Sequence, residues 1–175
     1  MCWLCGAGYR ASVTECGDCL LPLIPPDSRT GATPDQERIH LLAEQHLSGK
    51  ERDRVRPALA ALPDVLVEDE HVIWLTDAKH RRERGVLAIT TQALCWVPAD
   101  VEVEAGAIDL TTIEQVDTWP GDGGQLRVTT ADDLHVFTDV GSSVWLGQFG
   151  GVLTTALQSP DAARAEAERF DRLER

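Results

Sequence analysis

The sequence predicts an α+β chain: a small cysteine-stapled unit, a helical connector, and a body of seven short antiparallel strands closed by a helix. Three observations carry this reading. Two CxxC pairs stand near the start of the 175 residues. Beyond Pro34 apolar residues recur at helical spacing. From Val72 the apolar period drops to two and holds through seven short segments, after which a helical pattern returns.

The pairs are Cys2–Cys5 and Cys16–Cys19, separated by ten residues. Zinc prefers four ligands in a tetrahedron, and thiolates suit it. A CxxC turn sets two sulfurs on one side of a knuckle, and two such knuckles can face each other across a short hairpin. A segment of this size cannot bury a core, so the metal must stabilise it, by roughly 10–16 kcal/mol in small zinc units. The expectation is one structural Zn2+ held by Cys2, Cys5, Cys16 and Cys19, with residues 1–24 unfolded without it. Iron in the same ligands is the minor alternative. Disulfides are the other one, and they need an oxidising compartment. Met1 abuts Cys2, so no signal peptide is expected. A closed four-thiolate site leaves no open position for chemistry. Trp3, Leu4, Leu20, Leu21, Leu23 and Ile24 make the unit apolar. They either pack on the rest of the chain or form a protein-docking patch anchored by Trp3 and Leu4.

Residues 25–63 read as a proline-rich linker and helical connector. The linker stretch, Leu21 to Thr33, is stiffened by Pro22, Pro25 and Pro26. Thr33-Pro34-Asp35-Gln36 offers an N-cap, a first-turn proline and a glutamine placed for a capping box. Ile39, Leu42, Ala43 and Leu47 make the apolar stripe of a helix that Ser48-Gly49 is expected to stop. A second short helical stretch runs to about Leu62, disturbed by Pro57.

Residues 64–158 carry the strands, expected at 72–77, 85–90, 93–97, 107–110, 114–119, 125–130 and 134–138. Thr91-Gln92, Pro120 to Gly124 and Ala131-Asp132-Asp133 are turn chemistry between neighbours. Cys95 falls in an apolar strand pattern and reads as a core thiol. Such a run predicts an antiparallel meander forming a sandwich or small barrel. Leu146, Phe149, Val152, Leu153, Ala156 and Leu157 then share one helical face. Gly147, Gly150 and Gly151 weaken that helix by about 1 kcal/mol each relative to alanine, so it depends on packing against the strands. Ser159-Pro160 restarts the chain into a helical tail, 159–175.

Two resemblances follow from these residues. The four cysteines, with Gly6 and Tyr9, make the first unit similar to the zinc-ribbon or double-knuckle family of microbial proteins. The same spacing resembles the Ran-binding-protein type of finger. That family's tryptophan before the first cysteine and its asparagine between the pairs are absent, so ubiquitin or RNA binding is not carried over. The segment Gly85-Val-Leu-Ala-Ile-Thr-Thr-Gln-Ala-Leu-Cys-Trp-Val-Pro98 resembles the second and third strands of GRAM and bacterial pleckstrin-homology-like (PH-like) domains. Asp64 to Glu70 resembles their lead-in, and Ile108 to Val116 their fourth and fifth strands. The resemblance spans about Asp64 to Gln158 and implies seven strands and one helix. PH-like domains bind phosphoinositides, peptides or other proteins, and the fold alone does not choose among these.

Charge narrows the partners. The net formal charge is −13, and 16 acids against 5 bases between Asp64 and Gln158 place a net −11 on the strand-rich body. This opposes nucleic acid and anionic membranes. Four of those five bases, Lys79, Arg81, Arg82 and Arg84, sit in one loop between the first two strands. Lipid binders of the resembled family use that loop, where each base near an anionic surface contributes about 1 kcal/mol. The ordinary reading is a solvated hairpin whose arginines pair with nearby acids; the functional one is an anion, lipid or acidic-partner site.

His40 and Glu44 share a helix face, while His46 points away and reads as solvated. His71 and His135 stand alone in strand patterns. No Ser–His–Asp order and no phosphate-cradling glycine loop is readable. The expectation is a cytoplasmic, non-enzymatic adaptor that binds one protein through the zinc unit and another through the body. The alternative is a peripheral membrane module working through residues 79–84.

Overall fold

The structure is a computed structural model, and it describes residues 34–121, 123–141 and 143–173. The four paired cysteines, Trp3, Leu4 and the proline-rich linker lie outside the described residues.

Helix α1 spans Pro34–His46 and α2 spans Gly49–Val65. Ser48 does more than end α1. Its hydroxyl accepts from the Glu51 amide, while its own amide donates to the Glu51 carboxylate at 2.7 Å, a reciprocal capping box that starts α2 at once. Burial pushes the Glu51 carboxyl up, but the Ser48 hydrogen bonds and the Arg54 and Arg84 charges bring it below its ordinary value. Helix α2 runs through Pro57 and ends at Val65, a little beyond its expected end near Leu62. An interior proline costs roughly 3 kcal/mol. Fully burying Val55, Leu59 and Leu62 contributes roughly 1.5–3 kcal/mol each, so packing outweighs the local defect.

The strands are β1 (Val72–His80), β2 (Glu83–Thr90), β3 (Ala93–Pro98), β4 (Gly106–Asp109), β5 (Ile113–Trp119), β6 (Gln125–Thr130) and β7 (Leu134–Thr138). A 3-10 turn, Leu110–Thr112, joins β4 to β5. All seven form one antiparallel sheet in the order β4-β3-β2-β1-β7-β6-β5. It consists of two meanders stitched by the short β1–β7 ladder, Lys79 opposite Thr138 and His80 opposite Phe137. Leu94 and Trp96 of β3 share a core with Leu126 and Val128 of β6, so the meanders face each other. Helices α3 (Ser143–Gln158) and α4 (Pro160–Leu173) follow.

Two cores result. The inner one joins Trp74, Leu87, Ile89, Leu94, Trp96 and Phe137 to Leu146, Phe149, Val152 and Leu153 of α3. Ala163 of α4 is buried in the same cluster. The outer core packs Ile39, Leu42, Val55, Leu59 and Leu62 of α1 and α2 on Leu75, Val86, Ala88, Cys95 and Val97. The helical connector thus covers the outer face of β1–β3, and β2 and β3 are buried almost end to end. An irregularity between Val72 and Trp74 places Ile73 and Trp74, adjacent in sequence, in the same inner core.

A buried carboxylate ties the two layers together. Glu70 accepts the Val67 amide at 2.9 Å and the Thr90 hydroxyl, with the Cys95 thiol 3.9 Å away. Burial, then the Glu70 charge, pushes the Cys95 thiol up to about 12, so it is an inert core group as its strand position predicts.

Candidate functional site

The candidate site is the end of the sheet that holds the β1–β2 turn. The expected six-residue loop is much tighter: β1 continues to His80 and β2 begins at Glu83. Only Arg81 and Arg82 remain in the turn, with φ of 50° and 77°. Positive φ at both central residues is the turn geometry that matches strand twist, and it is normally filled by Asn-Gly.

The four predicted bases divide into two pairs. Lys79 lies 2.7 Å from Asp139, and Arg84 bridges Asp77 and Asp139, the latter at 3.2 Å. Arg54 of α2 approaches Asp77 at 4.0 Å, which links the helical layer to this network. Burial, then Glu51, raises the Asp77 carboxyl above its ordinary value against the pull of Arg84 and Arg54. The Lys79 hydrogen bond, partly opposed by burial, holds Asp139 below its own. Lys79 and Arg84 are therefore structural cations. Arg81 and Arg82 are exposed and have no ion pair among the described residues.

Beside the turn lies a cavity of about 270 Å³ that sequence reasoning missed. Its walls are Leu94, Trp96, Ile108 and Phe137, with His80 and His135. The aromatic walls are mutually packed, with ring centroids 4.8 Å apart for His80–Phe137 and 5.9 Å for Trp96–Phe137. His80 is oriented by a 3.0 Å hydrogen bond between Nδ1 and the Val136 carbonyl. At the mouth stand Arg81, Glu83, Val103 and Glu104. On the other side of the turn, Arg81 and Arg82 share a groove with Leu134 and Val136. His135 is thus no isolated strand residue; it sits 6.2 Å from His80. Its sequence gives no such signal, because the contact depends on β1 meeting β7.

The connections around the cavity are apolar at their tips and acidic in charge. Val101 is 84% exposed and Leu134 is 51% exposed. Asp100, Glu102, Glu104, Asp132 and Asp133 on these connections, and Glu83 at the start of β2, are all exposed, against the Arg81–Arg82 pair. Volume bounds the occupant. Small-molecule sites run about 300–1,000 Å³, and a cavity of about 150 Å³ holds one benzene ring. The present cavity suits one large apolar side chain.

His46 departs from its expectation. It is 8% exposed and packed between Trp74, at 4.2 Å, and Trp145, at 5.2 Å. Burial first, and the Arg38 charge second, lower it to about 4. His71 is exposed and bonds Asp35 at 2.8 Å, and His40 meets Glu44 at 3.5 Å as its spacing predicts. Among the described residues no group of three or more His, Cys, Asp or Glu is placed to hold a metal. Among them, too, no helix is long and apolar enough to cross a membrane. Neither a protein-family model nor a curated protein matches the chain.

Proposed function

We propose that this chain is a non-enzymatic adaptor whose body binds a partner protein at the β1–β2 end of the sheet. The observation that carries the reading is the apolar cavity, sized for one side chain, with the exposed Val103 at its mouth. Two meanders closed by a helix support a PH-like assignment for the body. The motif glycine Gly85 and the turn residue Thr90 have structural roles that support it further: β3 backbone crowds the first, and the second bonds Glu70 and the Ala93 amide. The cysteine unit is the second docking element of the proposal, with Zn2+ to be held by Cys2, Cys5, Cys16 and Cys19 and with Trp3 and Leu4 as its docking anchors. A cytoplasmic location suits reduced thiolates.

Elemental analysis of purified full-length protein is expected to find one zinc per chain, lost in a Cys2→Ser/Cys16→Ser variant. Protein free of zinc would end the ribbon half of the proposal. Tagged protein is expected to recover partners from native lysate, and Trp3→Ala is expected to lose one set of them.

A peripheral membrane role has one observation in its favour: Arg81 and Arg82 are the free cations of the turn, next to aliphatic tips. Six exposed acids around them oppose it. Flotation with vesicles rich in phosphatidylserine or phosphoinositide is expected to recover neither wild type nor Arg81→Glu/Arg82→Glu. Recovery of the wild type alone would replace the adaptor reading with the membrane one.

A further inference from the structure

We infer that the β1–β2 end docks a cationic protein segment, one apolar side chain of which seats in the cavity among Leu94, Trp96, Ile108 and Phe137. The inference rests on the adaptor reading and names the chemistry of the partner. Three observations carry it. The cavity is apolar inside and opens beside the exposed residues Gly106 and Ala107 of β4. Its mouth carries two acids, Glu83 and Glu104, against Arg81, and Asp100 and Glu102 extend the acidic rim along the connection from β3 to β4. Behind the rim stands a body with a net −11, whose field attracts cations and slows the approach of acidic chains.

The two arginines do not reverse this. Arg82 does not line the cavity; it lines the groove on the far side of the turn. Lys79 and Arg84 are neutralised by Asp139 and Asp77. Exposed acids therefore outnumber the free cations at this end of the sheet, and the rim carries net negative charge. The apolar seat supplies register and the acidic rim supplies selection, a division of labour common in interfaces.

The test uses full-length, zinc-loaded protein and fluorescence anisotropy with three short synthetic peptides. The first has one leucine between lysine pairs, the second replaces that leucine by serine, and the third flanks leucine with glutamates. Phosphatidylserine vesicles form a fourth arm. The lysine-flanked leucine peptide is expected to bind, with affinity falling steeply between about 50 and about 300 mM salt. The serine and glutamate peptides are expected not to bind.

Glu102→Gln/Glu104→Gln should weaken binding roughly tenfold. Gly106→Phe should abolish it with an unchanged melting temperature, since Gly106 is an exposed edge position that lines the cavity, shares the face of its partner Trp96, and has nothing within 4 Å of its Cβ position. Arg81→Ser/Arg82→Ser should leave it intact or tighter. Equal binding of the glutamate peptide, or loss of binding in the arginine variant, overturns the inference. If no peptide binds but the chain still captures partner proteins regardless of Gly106→Phe, the inference falls and the adaptor reading stands. If the vesicles bind, both fall.

Discussion

Replacing Gly85 by alanine is expected to destabilise the body by about 3 kcal/mol, the upper end of what overpacking costs. A Cβ at this position would stand 2.2 Å from the Val97 carbonyl oxygen and 2.8 Å from the Pro98 Cα. Both atoms are backbone of the paired strand β3, so no rotamer change relieves the clash. Opening the β2–β3 ladder there would disturb both cores, because Val86 and Val97 face the helical layer while Leu87 and Trp96 face the inner one. A domain of this kind has about 5–15 kcal/mol in total, so the variant should express poorly or melt early. Gly147→Ala is the matched control. Nothing lies within 4 Å of its Cβ position, and alanine is the better helix former by about 1 kcal/mol, so it should stabilise α3. Urea unfolding of the three proteins reads both effects as midpoint shifts at constant slope. A Gly85→Ala midpoint equal to wild type would show that β3 moves aside without cost, and would remove the physical reason for a glycine here.

The second large effect is on acid stability. The His46 ring is held at about 4 in the folded chain against 6.5 when unfolded. As pH falls through 6.5 the unfolded chain binds a proton that the folded chain refuses until about 4. Between these values the unfolded state carries more protons, so stability declines with falling pH and levels off below. The depression corresponds to roughly 3 kcal/mol.

Other groups act mainly lower down. The raised Asp77 carboxyl has the opposite sign, favouring the folded state as it protonates. The lowered Glu51 and Asp139 carboxyls contribute stability that is present above their unfolded values and is lost as pH falls through their folded ones. Comparing wild type with His46→Leu isolates the histidine. The wild type should lose most of the 3 kcal/mol between pH 7 and pH 4.5, in urea titrations at each pH, while the leucine variant stays nearly level across that window. Parallel curves for the two proteins would mean that the ring protonates freely in the folded state, contrary to its packing between two tryptophans.

Elements built from local chemistry were legible in advance. Strands β6 and β7 lie where period-two alternation and turn residues put them, and the other strands differ only at their ends. Helix α1 follows its apolar stripe, and Cys95 is buried as its strand position implies. Elsewhere one signal carried two meanings. Ser48-Gly49 reads as a stop, and α1 does end at His46, but Glu51 three residues on also makes it a start. Pro57 reads as a disturbance, and the helix runs through it because it sits on an exposed face of a helix held by burial on the other side.

The candidate site was half legible. Composition alone singled out Lys79, Arg81, Arg82 and Arg84. Which of them are free depends on Asp139, a residue 55 positions from Arg84 that meets it only in space. The cavity was not legible at all, since His80, Trp96 and Phe137 come from three strands.

By itself, then, the sequence determined the element types and the acidic charge of the body, because each depends on residues close together in the chain or on a simple sum over it. Only the tertiary structure decided that the connector helices cover the sheet, that β1 joins β7, that His46 is buried and that two of four cations are neutralised. Those outcomes rest on contacts between distant segments, and pairing across such distances is selected by the packing of whole layers, which no local pattern encodes.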